Sequence, residues 1–325
     1  MAKVNLVTAI NMALDAEMAK NGSMIILGED VGREGGVFRV TDGLREKYGA
    51  DRVVDTPLTE AGIVGSALGL SVGGMLPVPE IQFEGFLHLA LDMLCNQIAR
   101  YRTRSRGLYP VRMVLRVPWG GGIRAPEHHS DSPETYLVHT PGLTVVTPSG
   151  PYDAKGLMTA ALRHPDPVIF CEPKRIYRAI KEEVPEDDYE VPIGVANVVR
   201  EGTDVTIVAW AAMVREAMKA VEILEAEGVK AEVIDLRTLS PMDSATVVES
   251  VRKTGRLVIT HEAPRTLGLG AELAARVSEE VLTSLLAPIE RVTGYDTVMP
   301  LFKLENEYMP DAAKIVAGAR NAMSF

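Results

Sequence analysis

From Asp204 onward one pattern recurs: short β-branched and aliphatic runs, VTIVAW, AEVIDL, RLVIT and RVTGYD, alternate with helical stretches, one through Val221 to Gly228 and another from about Asp243. Such alternation builds βαβ units. A parallel strand pair needs a long crossover, and a helix supplies one that lays its apolar stripe on the sheet. Strands covered on both faces read as continuous apolar runs, as these do. The last third of the chain is therefore expected to form one open α/β domain.

The first half alternates as well. Strands are expected at Met24 to Leu27, Arg52 to Asp55, Val78 to Phe83, Val111 to Val117, Leu143 to Val146 and Val168 to Cys171, with a long loop at Pro118 to Thr140. Leu6, Ile10, Ala13 and Leu14 recur at helical spacing ahead of Gly22. Between the halves, Lys181 to Asp204 is acidic, carries Pro185 and Pro192 and lacks helical periodicity, which marks a surface connection. The 325 residues suit two domains. We expect the first at 1–190, a linker at 191–203 and the second at 204–325, with no short-period repeat.

A formal charge of −10 and a pI near 5.2 argue against nucleic acid, whose binding needs clustered Lys and Arg. The two cysteines, Cys95 and Cys171, lie in apolar surroundings and read as core packing in a reducing compartment. The N-terminus shows no basic stretch followed by an apolar core, so a cytoplasmic location is expected; a mature mitochondrial matrix chain would read the same. Ala61 to Pro79 carries no charge over nineteen residues, long enough to consider a membrane span. Five glycines, Pro77, Pro79 and the flanking Glu60 and Glu80 argue against it.

Within that run Gly62, Gly65, Gly69 and Gly73 would line one helix face. Each glycine costs a helix about 1 kcal/mol relative to alanine, so a close-packing partner is expected: another subunit, or the chain's own sheet. Gly268 and Gly270 imitate a dinucleotide loop, but Leu273 stands in place of the third glycine, and a plain helix start is the better reading. His128 and His129 follow the triplet Gly120 to Gly122. Adjacent histidines make a poor zinc pair, and on the residues alone they are either solvated loop histidines or a general acid or anion contact. Glu60 and Glu29 each follow a strand end, where α/β sheets place ligands, yet each could equally cap a helix.

In order, LGEDVGREGGVFRVTDGL, RVVDTPLTEAGIVGSALG, PVPEIQFEGF, GGGIRAPEHHSDSPE and PYDAKGL, then EPKRIYR, VIDLRTLSPMD and RVTGYDT, resemble the beta subunits of the first, decarboxylating component of 2-oxo acid dehydrogenase complexes. The likeness spans essentially the whole chain. It implies a transketolase-like pyrimidine-binding domain followed by a transketolase C-terminal-like domain, both with mostly parallel sheets. It also implies thiamine diphosphate as cofactor. In that family the diphosphate and Mg2+ are held by a Gly-Asp-Gly motif of the alpha subunit, and this chain contains none. An obligate alpha subunit in an α2β2 heterotetramer follows, with the glycine face at the assembly interface.

Residue by residue, the resemblance puts Glu60 beside the pyrimidine N1′ as the catalytic carboxylate. Phe86 matches the aromatic that stacks on that ring, Leu58 and Thr59 flank Glu60, and Glu29 and Gln82 match polar neighbours. His129 matches a histidine that contacts substrate, with His128 less constrained. Asp153 lies in a segment that binds structural K+ in some relatives. The implied reaction is decarboxylation of a 2-oxo acid, pyruvate or branched-chain, and reductive acylation of a lipoyl group on the acyltransferase component, which the C-terminal domain would dock. Rival readings are an acetoin dehydrogenase beta subunit, another split transketolase-like enzyme, and a catalytically silent scaffold; the last would have lost Glu60 or His129.

Overall fold

A computed structural model describes residues 2–325, which divide into two compact units. The first comprises the chain up to Trp119 together with Tyr136–Ile193; the second comprises Gly120–Thr135 and Gly194–Phe325.

In the first unit, β1 (Met24–Gly28), β2 (Val53–Asp55), β3 (Leu76–Glu80), β4 (Val114–Trp119), β5 (Thr144–Val146) and β6 (Val168–Pro173) lie in the order β5-β6-β4-β3-β1-β2, parallel at every pairing. The expected strands are all present, with ends moved by a few residues. Ala2–Val4 pairs antiparallel with Glu182–Val184. Helix α1 (Leu6–Lys20) is capped by Asn5, whose side chain accepts from the Thr8 N–H at 3.0 Å, and it buries Leu6, Ile10, Ala13 and Leu14. It packs on α3 (Pro151–Arg163). The uncharged run becomes α2 (Glu60–Val72), then a turn, then β3. No helix among the described residues is long and apolar enough to cross a membrane. On α2, Gly65 meets the Met93 side chain while a methyl group at Gly69 would meet open space, so the glycine face is only partly used within the chain.

The second unit has β7 (Asn197–Arg200), β8 (Val205–Ala209), β9 (Ala231–Asp235), β10 (Leu257–Pro264) and β11 (Glu290–Gly294) in the order β11-β10-β8-β9-β7. All pairings are parallel except β7 against β9. Helices α4 (Ala212–Ala226) and α7 (Ala312–Met323) pack together, as do α5 (Ser244–Thr254) and α6 (Leu269–Val281). Asp243 caps α5, its side chain accepting from the Thr246 N–H at 3.1 Å. Gly268 and Gly270 sit at the start of α6, where added Cβ atoms would come within 2.6 and 2.9 Å of the His261 ring. They are there for close packing.

Three expectations need correction. Residues 194–203, expected as linker, belong to the second unit, because β7 adds an antiparallel edge to its sheet. Residues 120–135 leave the first domain for the second unit, because their backbone N–H groups bond to carboxylates of that unit. Cys171 is buried, but Cys95 is only half-buried, its Sγ 3.3 Å from Thr140 Oγ1.

Candidate active site

Strand register brings the expected acidic residues of the first unit to one sheet end. Gly28 of β1 pairs with Asp55 of β2 on one side and Glu80 of β3 on the other, so three carboxyl ends finish level. Glu29 follows Gly28, Glu60 opens α2 after the β2 turn, and Gln82 follows β3. This is the edge at which parallel sheets present ligand-binding loops. No side chain fits at Gly28: a Cβ would stand 2.9 Å from both the Glu80 carbonyl oxygen and a Val31 methyl group.

Glu29, Glu60 and Glu80 are all buried. Burial pushes the Glu29 carboxyl up to about 6, and the charges of Glu60, Asp30 and Glu80 push the same way. Its Oε1 is buried without a hydrogen-bond partner. Glu60 stands at the positive end of the α2 dipole. Gln82 Nε2 donates to Asp30 Oδ2 at 3.2 Å, and the Gly32 and Arg33 N–H groups donate to Asp55 at 2.6 and 3.1 Å, which holds the loop after Glu29.

Beneath this edge lies a charged layer that sequence reasoning missed. Arg116, fully buried in β4, donates from Nε and Nη2 to Glu172 at 2.7 and 3.0 Å and from Nη1 to Glu80. Tyr177 donates its hydroxyl to Glu172 Oε2 at 2.6 Å. Burial pushes Glu80 upward and Arg116 opposes it. A signal existed: one charged residue within each of the apolar runs PVPE, VLRVPW and VIFCEP, since buried charges persist only when paired.

The remaining expected residues lie around this edge or outside the unit. Leu58 is 79% exposed and Thr59 is exposed, both in the turn before Glu60. Phe86 is half-buried, edge-on to Phe83 with ring centroids 6.4 Å apart, and Phe83 meets Phe38 at 5.4 Å. His128 and His129 belong to the second unit. His129 Nδ1 lies 2.7 Å from the Glu127 carbonyl oxygen; a carbonyl only accepts, so Nδ1 carries a proton in this contact. Asp153 is buried in the first turn of α3. Two residues on, Lys155 donates to the carbonyl oxygens of Pro185, Glu186 (3.0 Å) and Asp187 (2.8 Å).

Comparison with known proteins assigns both units. Residues 2–180 match the transketolase pyrimidine binding domain and residues 194–315 the transketolase C-terminal domain. The pyruvate dehydrogenase E1 component subunit beta of Acholeplasma laidlawii is 53% identical over 320 residues, 98% of each chain. Its Staphylococcus epidermidis counterpart is 49% identical over 325 residues, the whole of both chains. The chain belongs to the transketolase-like beta subunits of 2-oxo acid dehydrogenases. A solved split-gene transketolase, an inactive beta4 tetramer, matches with a TM-score of 0.81 and 25% identity over 99% of each chain. Membership brings oxidoreductase chemistry on 2-oxo acids and the involvement of thiamine diphosphate.

The residues present fit one end of that cofactor. An orphaned buried oxygen on Glu29, a carboxyl at a helix start on Glu60, and the apolar surfaces of Leu58 and Phe86 together suit the polar edge and flat face of an aminopyrimidine.

Proposed function

We propose that this chain supplies the pyrimidine half of a thiamine diphosphate site shared with an alpha subunit in an α2β2 heterotetramer, and that the enzyme decarboxylates pyruvate and passes the acyl group to a lipoyl group of an acyltransferase. The observation that carries the reading is the sheet end where Gly28, Asp55 and Glu80 finish level, with buried Glu29 next in the chain and buried Glu60 near enough for its charge to act on Glu29. Thiamine diphosphate, when bound, supplies the electron sink for carbon–carbon cleavage. Glu60 would share a proton with the pyrimidine ring nitrogen, and Glu29, its carboxyl pushed up to about 6, would line the same polar edge. Phe86, Leu58 and Thr59 line the flat face, and Gln82 orders the edge through Asp30. His129, its Nδ1 engaged by the Glu127 carbonyl oxygen, would contact the substrate or the acyl group in transfer; His128 is a neighbour without a separate role.

Mg2+ belongs with the diphosphate on the alpha subunit, since this chain has no Gly-Asp-Gly. Potassium enters as a structural ion near the buried Asp153, which a K+-dependent rise in melting temperature would register. The glycine face of α2 packs at the subunit interface, and the second unit docks the acyltransferase core. Pyruvate is preferred over branched-chain acids because the relatives named above are pyruvate dehydrogenase subunits. A pocket separates such substrates by only about 1 to 3 kcal/mol per methylene.

Isothermal titration of Mg2+ and thiamine diphosphate into the chain alone, then into the chain assembled with an alpha subunit, tests the shared site. Binding only to the assembly, with turnover lost in Glu60→Ala, is the expected result. Tight Mg2+-dependent binding by the lone chain would sink it.

A further inference from the structure

Residues 120–131 form a loop held closed and held down at separate points. The Gly120 N–H donates to the Asp131 carbonyl oxygen at 3.0 Å, closing its base. The Gly121 N–H donates to Glu262 Oε2 at 2.8 Å, the Gly122 N–H to Glu305 Oε1 at 2.8 Å, and the Arg124 N–H to both Glu305 oxygens at 3.2 and 3.0 Å. Glu262 comes from β10 and Glu305 from the short helix Glu305–Tyr308, and both are buried. Hydrogen bonds from amides to buried carboxylates are the strong kind, and an anion seated among successive N–H groups fixes the backbone that offers them.

The glycine triplet makes this clamp sterically feasible. Gly120 and Gly122 adopt φ of +81° and +85°, which side chains rarely tolerate. A Cβ at Gly120 would stand 2.7 Å from Glu262 Oε2, and one at Gly121 would stand 2.6 Å from the Met299 methyl group. Past the clamp, the His129 N–H donates to the Pro126 carbonyl oxygen at 3.2 Å, and its Nδ1 is engaged by Glu127. The chain from clamp to imidazole is thus short and internally bonded.

We infer that Glu262 and Glu305 are positioning residues for the reaction, acting through His129 by fixing the backbone of the loop that carries it. The inference rests on the proposed role of His129. It gives the second unit a part in the chemistry beyond docking.

The test is a double-mutant cycle on the chain assembled with its alpha subunit, with kcat and KM for pyruvate normalised to thiamine diphosphate sites. Glu305→Ala, and Glu305→Gln as the milder variant, should each lower kcat/KM by about tenfold to a hundredfold, the cost of lost charge-assisted bonds. Affinity for thiamine diphosphate should stay within about twofold, since Glu60 and Glu29 lie in the other unit and Glu305 acts on chemistry, not cofactor binding. In a His129→Ala background the Glu305 variants should cost little more, because both act through one group. Amide exchange in the lone chain should quicken in the peptide covering 120–131 and nowhere else, which separates loop release from misfolding. Additive losses, unchanged exchange in that peptide, or unimpaired Glu305 variants beside an impaired His129→Ala would each overturn the inference. A silent His129→Ala would instead remove the histidine reading, and the inference with it.

Discussion

Arg116 and Glu172 face each other through two parallel hydrogen bonds, Nε to Oε1 at 2.7 Å and Nη2 to Oε2 at 3.0 Å, with neither side chain exposed to water. A guanidinium in that fork, with Glu80 as a third partner, balances two carboxylates in the sheet beneath the acidic edge. Removing the cation strands both. Arg116→Met should destabilise the chain by about 3 to 5 kcal/mol, the range for breaking a buried pair from one side. Urea unfolding checks it, and the triple variant Arg116→Met, Glu80→Gln, Glu172→Gln should recover most of the loss. A single variant of wild-type stability would show that the pairing contributes nothing net.

Much of the fold was legible beforehand, and for a uniform reason. Strands such as Val205–Ala209 and Val168–Pro173 are contiguous apolar runs, so pattern and length identify them. Glu60 and Glu29 were legible as residues that follow strand ends. Illegible were features made by partners far apart in sequence: Arg116 meets Glu172 across 56 residues, and Gly121 meets Glu262 across 141. The Gly-Leu-Gly step was legible as a helix start but not as close packing, since which ring its glycines meet, that of His261 on the preceding strand, depends on how helix and strand fold together. The family's residue roles came from the resemblance, because spacing alone left Glu60 indistinguishable from a helix cap.

Glu29 provides a pH signature of the acidic edge. Burial, with Glu60, Asp30 and Glu80 reinforcing it, raises its folded-state pKa from 4.5 to about 6. The folded chain therefore binds this proton more tightly than the unfolded chain. The group's contribution to stability is complete below pH 4.5 and is lost as pH rises through 6. That loss is on the order of 2 kcal/mol, from 1.36 kcal/mol per unit. Glu29→Gln carries no such titration, so its stability relative to wild type should rise by that amount between pH 4.5 and 7. Denaturation at both pH values measures this, and a pH-independent difference would mean that Glu29 is not held up by its neighbours.

Glu134 gives the second unit a pH signature of its own. Fully buried and influenced by Glu262, its carboxyl is pushed from 4.5 up to about 8. The sign is the same: stability from this group is present below pH 4.5 and lost as pH rises through 8. The slope cannot exceed one proton, about 1.4 kcal/mol per pH unit. Glu134→Gln, close in shape to the protonated acid, should flatten the decline between about pH 5 and 8 while staying nearest to wild type below pH 4.5. Thermal melts across that range decide it; an unaltered pH slope in the variant would assign the decline to other groups.

Gly69 offers a test of the subunit interface that separates the folded chain from the assembly. Within the chain a methyl group there meets nothing, and alanine is the better helix former by about 1 kcal/mol. Gly69→Ala should therefore leave the lone chain unchanged or stabilise it by up to about 1 kcal/mol. If α2 presents its glycine face to the alpha subunit, the same methyl group enters a close helix contact, where overpacking costs about 1 to 3 kcal/mol, a loss of roughly tenfold or more in association. Sedimentation of the α and β chains mixed at increasing concentration reads that loss directly. A variant that melts higher alone yet assembles more weakly would locate the interface on this face. One that assembles as wild type does would leave the glycines to the packing of α2 inside the chain, where Gly65 against Met93 already shows a use for them.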